Sequence, residues 1–276
     1  HPEGMVKLLL PLVDYFYKNI SKNIIFYVRE QKKKQNSYTS QLNYFYVYQK
    51  KIHFFINKYL LKFPKHKLRL FEEKLYDIYA YFKFSSAKIL ISSSYLLRTT
   101  NRNKNNGGIN IFIAGNPFDQ EIYELMIEEQ NKFNVLIEDA YTYEKRINFI
   151  VNSLKSFDHI CCFTKSEYDS FIKFFPKTKV SFLENHIIPD FSQFKDEKVS
   201  KEVEFTFCFI SHPFWLKGLP YLLEAWKMAN LKNCKLRIGG TLDKQLQDYI
   251  TKNYSDLENI EYTGWVKDLN SFYRSS

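Results

Sequence analysis

The stretch FISHPFWLKGLPYLLEAW, Phe209 to Trp226, places Ser211, His212 and the pair Lys217-Gly218 between an apolar run and a run of helical spacing. A cation and a glycine at the start of a helix suit an anion. The glycine permits close backbone approach, and the first helix amides with the helix dipole favour phosphate. Pro220 is tolerated in the first turn, where a missing N–H removes no helical bond. Trp215 reads as an exposed side chain of the same loop. Two further apolar runs end in glycine, at Gly239-Gly240 and at Gly264-Trp265-Val266. If the runs are parallel strands, three loops meet at one sheet edge, and ligands of open α/β sheets bind outside the carboxyl ends of the strands. No complete GxGxxG or GxxxxGK[ST] motif is present, and each feature taken singly also fits a plain strand end beside a surface lysine.

Other groupings carry less chemistry. Glu128 and Glu129 are helix neighbours that cannot face each other as an acid/base pair, and with Glu121 and Glu124 they read as a solvated face. His53, His66, His159 and His186 show no metal-ligand spacing, so no metal is expected. Ser92, Ser93 and Ser94 follow an apolar run and read as a helix cap, with acceptor contact as the alternative. There is no GxSxG elbow and hence no support for a hydrolase triad. The cysteines Cys161, Cys162, Cys208 and Cys234 lie in or beside apolar runs and read as reduced core residues.

The elements that must position these residues follow from periodicity. KILI, INIFIAG, DHICCFT, KVSFLE, EFTFCFI, CKLRIGG and NIEYTGWV are strand candidates, alternating with FDQEIYELMIEEQNKF, SEYDSFIKFF, LPYLLEAWKMAN and LDKQLQDYITKNY, which carry apolar residues at helical spacing. That rhythm predicts an α/β fold of βαβ units with parallel sheets. Ser166 and Thr241 are the expected N-caps of two of the helices. Earlier in the chain, GMVKLLLPLVDYFYKN and KKIHFFINKYLLKF read as helices, NIIFYV as a strand, and the polar piece from Gln31 to Gln41 as a loop. The charged segment Ile187 to Phe205 reads as a linker, with a domain boundary near Ser200: an N-terminal Rossmann-like domain over 1–199 without its first strand, and a partial domain over 200–276. Both ends look cut.

With 276 residues and 45% hydrophobic content the chain can bury one large core or two ordinary ones. No apolar run is long enough to span a membrane, and the N-terminus has no signal-peptide pattern. The net charge of +10 is uneven: residues 1–110 hold 20 Lys+Arg against 6 Asp+Glu, a balance of +14, which leaves −4 for the remainder. Such a surplus attracts anionic membrane or nucleic acid, or simply keeps a lysine-rich surface solvated.

The order of strand, loop, Lys-Gly, PYLLEAW helix, KLRIGG, NIEYTGWV and DLNSFYRSS resembles the donor-binding domain of family 4 glycosyltransferases of the GT-B fold. FDHICCFTKSEYDSFIKFFPKTKVSFLENHIIPDFSQF and AGNPFDQEIYELMIEEQNKF are similar to the family's N-terminal domain, so the resemblance covers roughly Ala87 to Ser276. It implies two Rossmann-like domains and transfer of a sugar, with retention, from a nucleotide-diphosphate sugar to a glycan or lipid-linked acceptor. It implies Lys217 and Gly218, with Ser211 and His212, on the donor diphosphate. Gly239, Gly240, Gly264, Trp265 and Val266 would lie on the nucleoside, and Glu3, Gly4, Asn116 and Asn185 on the acceptor or cleft. The family needs no metal or other cofactor. The chain departs from its pattern in several places: no arginine accompanies Lys217, Ser211 replaces a glycine, Asn116 stands where one branch has histidine, His186 stands where glycine is common, and the paired glutamates of the donor domain have no counterpart before Ser276.

These expectations place the protein in the cytoplasm, in cell-surface polysaccharide biosynthesis, with peripheral contact at the inner face of an anionic plasma membrane. A non-catalytic nucleotide-sugar-binding relative is the alternative. A basic nucleic-acid-binding protein is the third reading, in which Tyr and Phe among lysines stack on bases, but no RNP, KH or helix-turn-helix signature supports it and no specific nucleic acid is expected.

Overall fold

The seven β-branched and aromatic runs all form strands, and each pairs in parallel with its neighbour. The computed structural model describes residues 64–183, 205–212 and 214–274, together with Lys18 and the backbone of two short early strands. Those two, β1 (Phe26–Val28) and β2 (Thr39–Gln41), pair in parallel with Phe26 opposite Thr39. Thr39–Gln41 therefore corrects the end of the segment read as a loop. Ladder hydrogen bonds come from the backbone, so a strand with a partner needs no apolar pattern of its own. Apart from Lys18, which is helical as expected, and Phe205, which opens a strand, the helices expected at GMVKLLLPLVDYFYKN and KKIHFFINKYLLKF, the linker and the boundary near Ser200 lie outside the described residues.

The chain divides into two compact units, residues 1–123 with 138–185, and residues 124–137 with 186–276. In the first, β3 (Ile89–Ser92), β4 (Ile109–Ile113), β5 (His159–Cys162) and β6 (Val180–Phe182) form a sheet in that order. Helix α1 (Lys65–Lys83) precedes it, α2 (Leu97–Asn105) joins β3 to β4, α3 (Asp119–Phe133), whose residues from Glu124 on belong to the second unit, and α4 (Glu144–Leu154) lie between β4 and β5, and α5 (Lys165–Ile172) joins β5 to β6. Phe118, Ile150, Leu154, Phe157, Ile160, Cys162 and Phe171 build the core, with Phe112 packed edge-on against Phe157 at 5.7 Å between centroids. Cys161 and Cys162 are free thiols, and burial pushes the Cys162 thiol up to about 12, which removes it from thiolate chemistry at neutral pH.

Helices α1 and α4 were not among the expected elements, and α2 was expected only through the cap read at Ser92, Ser93 and Ser94; α2 shows why. Its sequence LRTTNRNKN buries Thr99, Thr100 and Asn103, so the face turned inward is polar. The partner is Asn110 of β4, fully buried, which accepts from Asn103 Nδ2 (3.0 Å) and donates to Thr100 O (2.9 Å) and Ser156 O (3.1 Å). Thr100 and Ser156 hydroxyls close the network at 2.6 Å.

The start of α2 is capped from elsewhere. Leu96 at the N-cap offers no side-chain bond, and the serines at 92–94 do not supply one; Asp77 of α1 instead accepts the N–H of Arg98 (2.9 Å) and of Thr99 (3.1 Å). Burial raises the Asp77 carboxyl above its ordinary value, and those amides draw it partly back. Two further caps differ from expectation. Thr164, not Ser166, heads α5 through a capping box with Glu167. Asp243, not Thr241, heads the helix after β8 by accepting from Leu246 N–H at 2.8 Å. In both cases the helix begins at a different residue than supposed, and a cap side chain reaches only the amides two and three positions on.

Arg146 in the first turn of α4 joins three helices. Its guanidinium forks onto Glu73 of α1, Nε to Oε2 at 3.0 Å and Nη2 to Oε1 at 3.0 Å, and its Nη1 reaches Asp119 of α3 at 2.9 Å. Burial opposes the charge, but Glu73 and Asp119 hold the guanidinium above its ordinary pKa.

In the second unit β7 (Phe205–Ile210), β8 (Cys234–Gly239) and β9 (Ile260–Gly264) form a parallel sheet in that order. Helix α6 (Leu219–Ala229) joins β7 to β8, α7 (Lys244–Tyr254) joins β8 to β9, and α8 (Leu269–Arg274) follows. Leu219, Leu223, Leu236, Ile238 and Leu246 are buried between the sheet and these helices.

Two substitutions test what holds the first unit. Arg146→Leu strips Asp119 of its guanidinium and leaves Glu73 with Arg69 alone (2.8 Å), with an expected loss of about 3–5 kcal/mol in urea unfolding. Asn110→Leu leaves Asn103 Nδ2 only a long contact to Ile109 O (3.5 Å) and takes one bond from each of the Thr100 and Ser156 carbonyls, with an expected loss of about 2–5 kcal/mol by the same measurement. A loss under about 1 kcal/mol in either would show that the network relaxes without it.

Candidate functional site

The loop after β7 is built inward. Phe214 and Trp215 are only 3% and 6% exposed, and Trp215 lies 5.3 Å from the Tyr249 ring of α7. Trp215 is thus a core residue rather than the exposed side chain expected, because two adjacent aromatics in a short turn bury more apolar area by facing the helices than by facing water. Phe214 O accepts the N–H of Lys217 and of Leu219, each at 3.2 Å, and Trp215 O accepts that of Gly218 at 3.2 Å. The chain then enters α6 through Gly218 at φ 76°, a left-handed conformation that glycine adopts without strain, with Pro220 in the first turn as anticipated. Lys217 is left exposed beside Gly218.

Fewer helix amides are open to an anion than the sequence suggests. Leu219 N–H is taken by Phe214 O, Leu222 N–H by Gly218 O at 3.1 Å, and Pro220 has none. The positive character of this loop therefore rests chiefly on the Lys217 ammonium.

The three strand ends come together. Ser211 N–H donates to Gly239 O at 3.2 Å, and Gly240 N–H to Gly264 O at 2.7 Å, which links the loops after β7, β8 and β9 in sequence. The glycine pair has a packing reason. Gly240 sits at φ 128°, and a Cβ there would lie 2.5 Å from Ser211 O and 2.6 Å from the Phe214 ring. A Cβ on Gly239 would lie 2.8 Å from Val266 Cγ2 and 3.1 Å from Phe272. Val266 is thereby committed to covering Gly239, whereas Trp265 next to it is 67% exposed. His212 is exposed and Ser211 half-buried. The edge thus presents Lys217, His212 and Trp265 around a floor of close-packed backbone. Phe214 and Phe272, the residues that make this floor glycine-only, carry no sequence signal beyond being aromatic.

In the first unit Asn116 is exposed in the turn between β4 and α3, while Glu3, Gly4 and Asn185 lie outside the described residues. His159 bonds Ser181 Oγ through Nε2 at 2.7 Å, and His66 packs against Tyr143 at 5.1 Å; His53 and His186 are not described. Of the glutamates read as a solvated face, Glu124 and Glu128 are exposed and Glu121 pairs with Lys173. Among the described residues no group of three or more His, Cys, Asp or Glu is placed to hold a metal ion, and no helix is long and apolar enough to cross a membrane.

No protein-family model matches the chain, and no curated protein matches it. Solved structures that it resembles include the apo form of the lipopolysaccharide outer core galactosyltransferase WaaB, at 11% identity and a TM-score of 0.49 over 98% of this chain and 67% of that one. TarM is similar at 13% identity and a TM-score of 0.45, over 74% of this chain and 38% of TarM. A mutant of S. aureus TarM in complex with Fondaparinux, alpha-GlcNAc-glycerol and UDP is similar at 14% identity and a TM-score of 0.42, over 71% and 37% of the two chains. The chain spans 67% of the length of WaaB and under two fifths of TarM.

Proposed function

We propose that the chain belongs to a retaining GT-B glycosyltransferase of the family 4 type, which moves a sugar from a nucleotide-diphosphate donor to a glycan or lipid-linked acceptor. The observation that carries the reading is the closure of three loops at the carboxyl edge of the second unit, with exposed Lys217 beside Gly218 on one of them. An open parallel sheet places ligands at that edge. On this reading the Lys217 ammonium meets the donor diphosphate and stabilises the charge that collects on it as the anomeric bond breaks, with no metal required. Gly239 and Gly240 form the backbone floor under the ribose and phosphates, and the backbone of Gly264, Trp265 and Val266 meets the nucleoside while the Val266 side chain covers Gly239. Ser211 and His212 flank the diphosphate, with Leu216 rather than an arginine next to Lys217. Asn116, with Glu3, Gly4 and Asn185, belongs to the acceptor side.

A nucleotide-sugar-binding protein without transfer is the second reading, favoured by the small number of open helix amides and the lone cation of the loop. Thermal shift and titration calorimetry with UDP-, GDP- and ADP-sugars, followed by assay of sugar transfer, separate the two. The glycosyltransferase reading expects stabilisation by one of these donors and transfer to an acceptor; binding without transfer selects the second reading, and indifference to all three donors counts against both. Lys217→Ala is expected to weaken donor binding by about 1.5–3 kcal/mol, the scale of a hydrogen bond to a charged group. Unchanged calorimetric affinity would remove Lys217 from the site.

A further inference from the structure

We propose that the amino edge of the first unit's four-stranded sheet is a docking surface for an anionic membrane. In a parallel sheet the residues just before each strand share one edge. The six residues before each of β3, β4, β5 and β6 hold Lys83, Lys88, Lys104, Lys155, Lys177 and Lys179, and a single acid, Asp158. The six residues after β3, β4 and β5 hold two cations, Arg98 and Lys165, against two acids, Asp119 and Glu167. The charge surplus of the described part of this unit is therefore concentrated on one edge.

Helix polarity accounts for part of the pattern. Cations suit helix C-termini, and Lys83 and Lys104 lie in the last turns of α1 and α2. It does not account for exposed Lys88 in the connection before β3; Lys177 and Lys179 share one 3-10 turn before β6, Lys177 exposed and Lys179 half-buried with its Nζ donating to Leu154 O at 3.2 Å. Nor does it account for the apolar side chains set among them: Phe82 is 77% exposed, Ile89 58% and Ile109 50%. The segments that carry these residues are tied side by side. Ile109 N–H donates to Lys88 O at 2.9 Å, Ala87 N–H to Asn103 Oδ1 at 2.8 Å, and Lys104 Nζ to Asp158 at 3.0 Å. The edge is thus a fixed surface with cations and apolar groups interspersed.

That composition fits a lipid interface better than a nucleic acid. All six cations are lysines, point charges suited to a diffuse anionic field, and none is the planar fork that reads bases and phosphates bidentately. Exposed Ile89 and Ile109 insert among acyl chains and cannot stack on bases, whereas the Phe82 ring suits either partner. The inference rests on the charge and exposure of this edge and stands whether or not sugar transfer is found.

The test is co-sedimentation of the full chain with phosphatidylcholine vesicles, with and without phosphatidylglycerol, at low and high ionic strength. Retention by the anionic vesicles, weakened by salt, is expected. The exposed-site variant Lys83→Glu/Lys88→Glu/Lys177→Glu should lower the partition at least about tenfold with an unchanged circular dichroism spectrum. Phe82→Ser should remove the part of the binding that survives high salt, and Lys165→Glu on the opposite edge should leave partition as it was. The proposal is overturned if anionic and neutral vesicles are bound alike, if the triple variant partitions as the parent does, or if the same lysines retain an oligonucleotide while vesicles are not bound.

Discussion

Parallel pairing in both principal sheets is the constraint on which the rest of this structure depends. A parallel strand can be reached only by a crossover, so each sheet acquires an edge where strands begin and an edge where they end. Helices return along the sheet, and their N-termini gather at the carboxyl edge. Acids follow them there: Asp119 and Glu121 open α3, Glu144 opens α4 and Glu167 opens α5. In the second unit the same polarity brings the ends of β7, β8 and β9 together with the start of α6. The strand order, sequential in each sheet, adds a second consequence. Right-handed crossovers between strands laid down in order place their helices on one face. Phe112, Ile160, Cys162 and Val180 pack in the core on that side, while Ile89, Ile91 and Ile109 stay exposed.

Polar groups do much of the work of joining these elements. Helix α2 has no apolar stripe; it is held by Asn110 beneath it and by Asp77 at its start. Helices α1, α3 and α4 meet at one guanidinium. Such contacts specify partners more sharply than apolar packing, since a displaced amide or carboxylate leaves an unpaired buried group whose cost exceeds the gain from a well-made bond. The hydrophobic core beneath them tolerates small shifts, and the polar network does not.

This division also explains what could be read from the sequence. Strands were legible because they are continuous apolar runs stopped by glycine or polar turns, and α3, α5, α6 and α7 because their buried residues recur at helical spacing. Helix α4 carries the same spacing, Ile147, Ile150, Val151 and Leu154, and was accessible to the same method. Helix α2 was not, since threonine and asparagine signal burial only to one who already knows that Asn110 lies opposite. The caps show a similar limit. Thr164-Lys-Ser-Glu167 spells a capping box, but Ser166 competes with it on composition, and only the onset of helical dihedrals decides. The candidate site was legible as a set of loops. What was hidden is the direction of each side chain within them, so Trp215 turned out to be core while Trp265 remained outside.

The glycines of the second unit separate two reasons that sequence alone merges. A glycine at a strand end can admit a ligand or admit the protein's own side chains. Gly239 and Gly240 do the latter, since Val266, Phe272 and Phe214 occupy the space their Cβ atoms would need. Gly218 and Gly264 differ: each has positive φ, and added Cβ atoms would meet nothing closer than 4.0 Å at Gly218 and nothing within 4 Å at Gly264. Their requirement is conformational, and the space beside them is open. The two open glycines adjoin Lys217 and Trp265, the exposed cation and the exposed ring of this edge. Close packing fixes the floor, while conformational freedom at the rim sets where a charged and a planar group stand clear of it. On the proposed reading a donor with a diphosphate and a base needs both, which puts its recognition at the rim rather than on the KLRIGG floor.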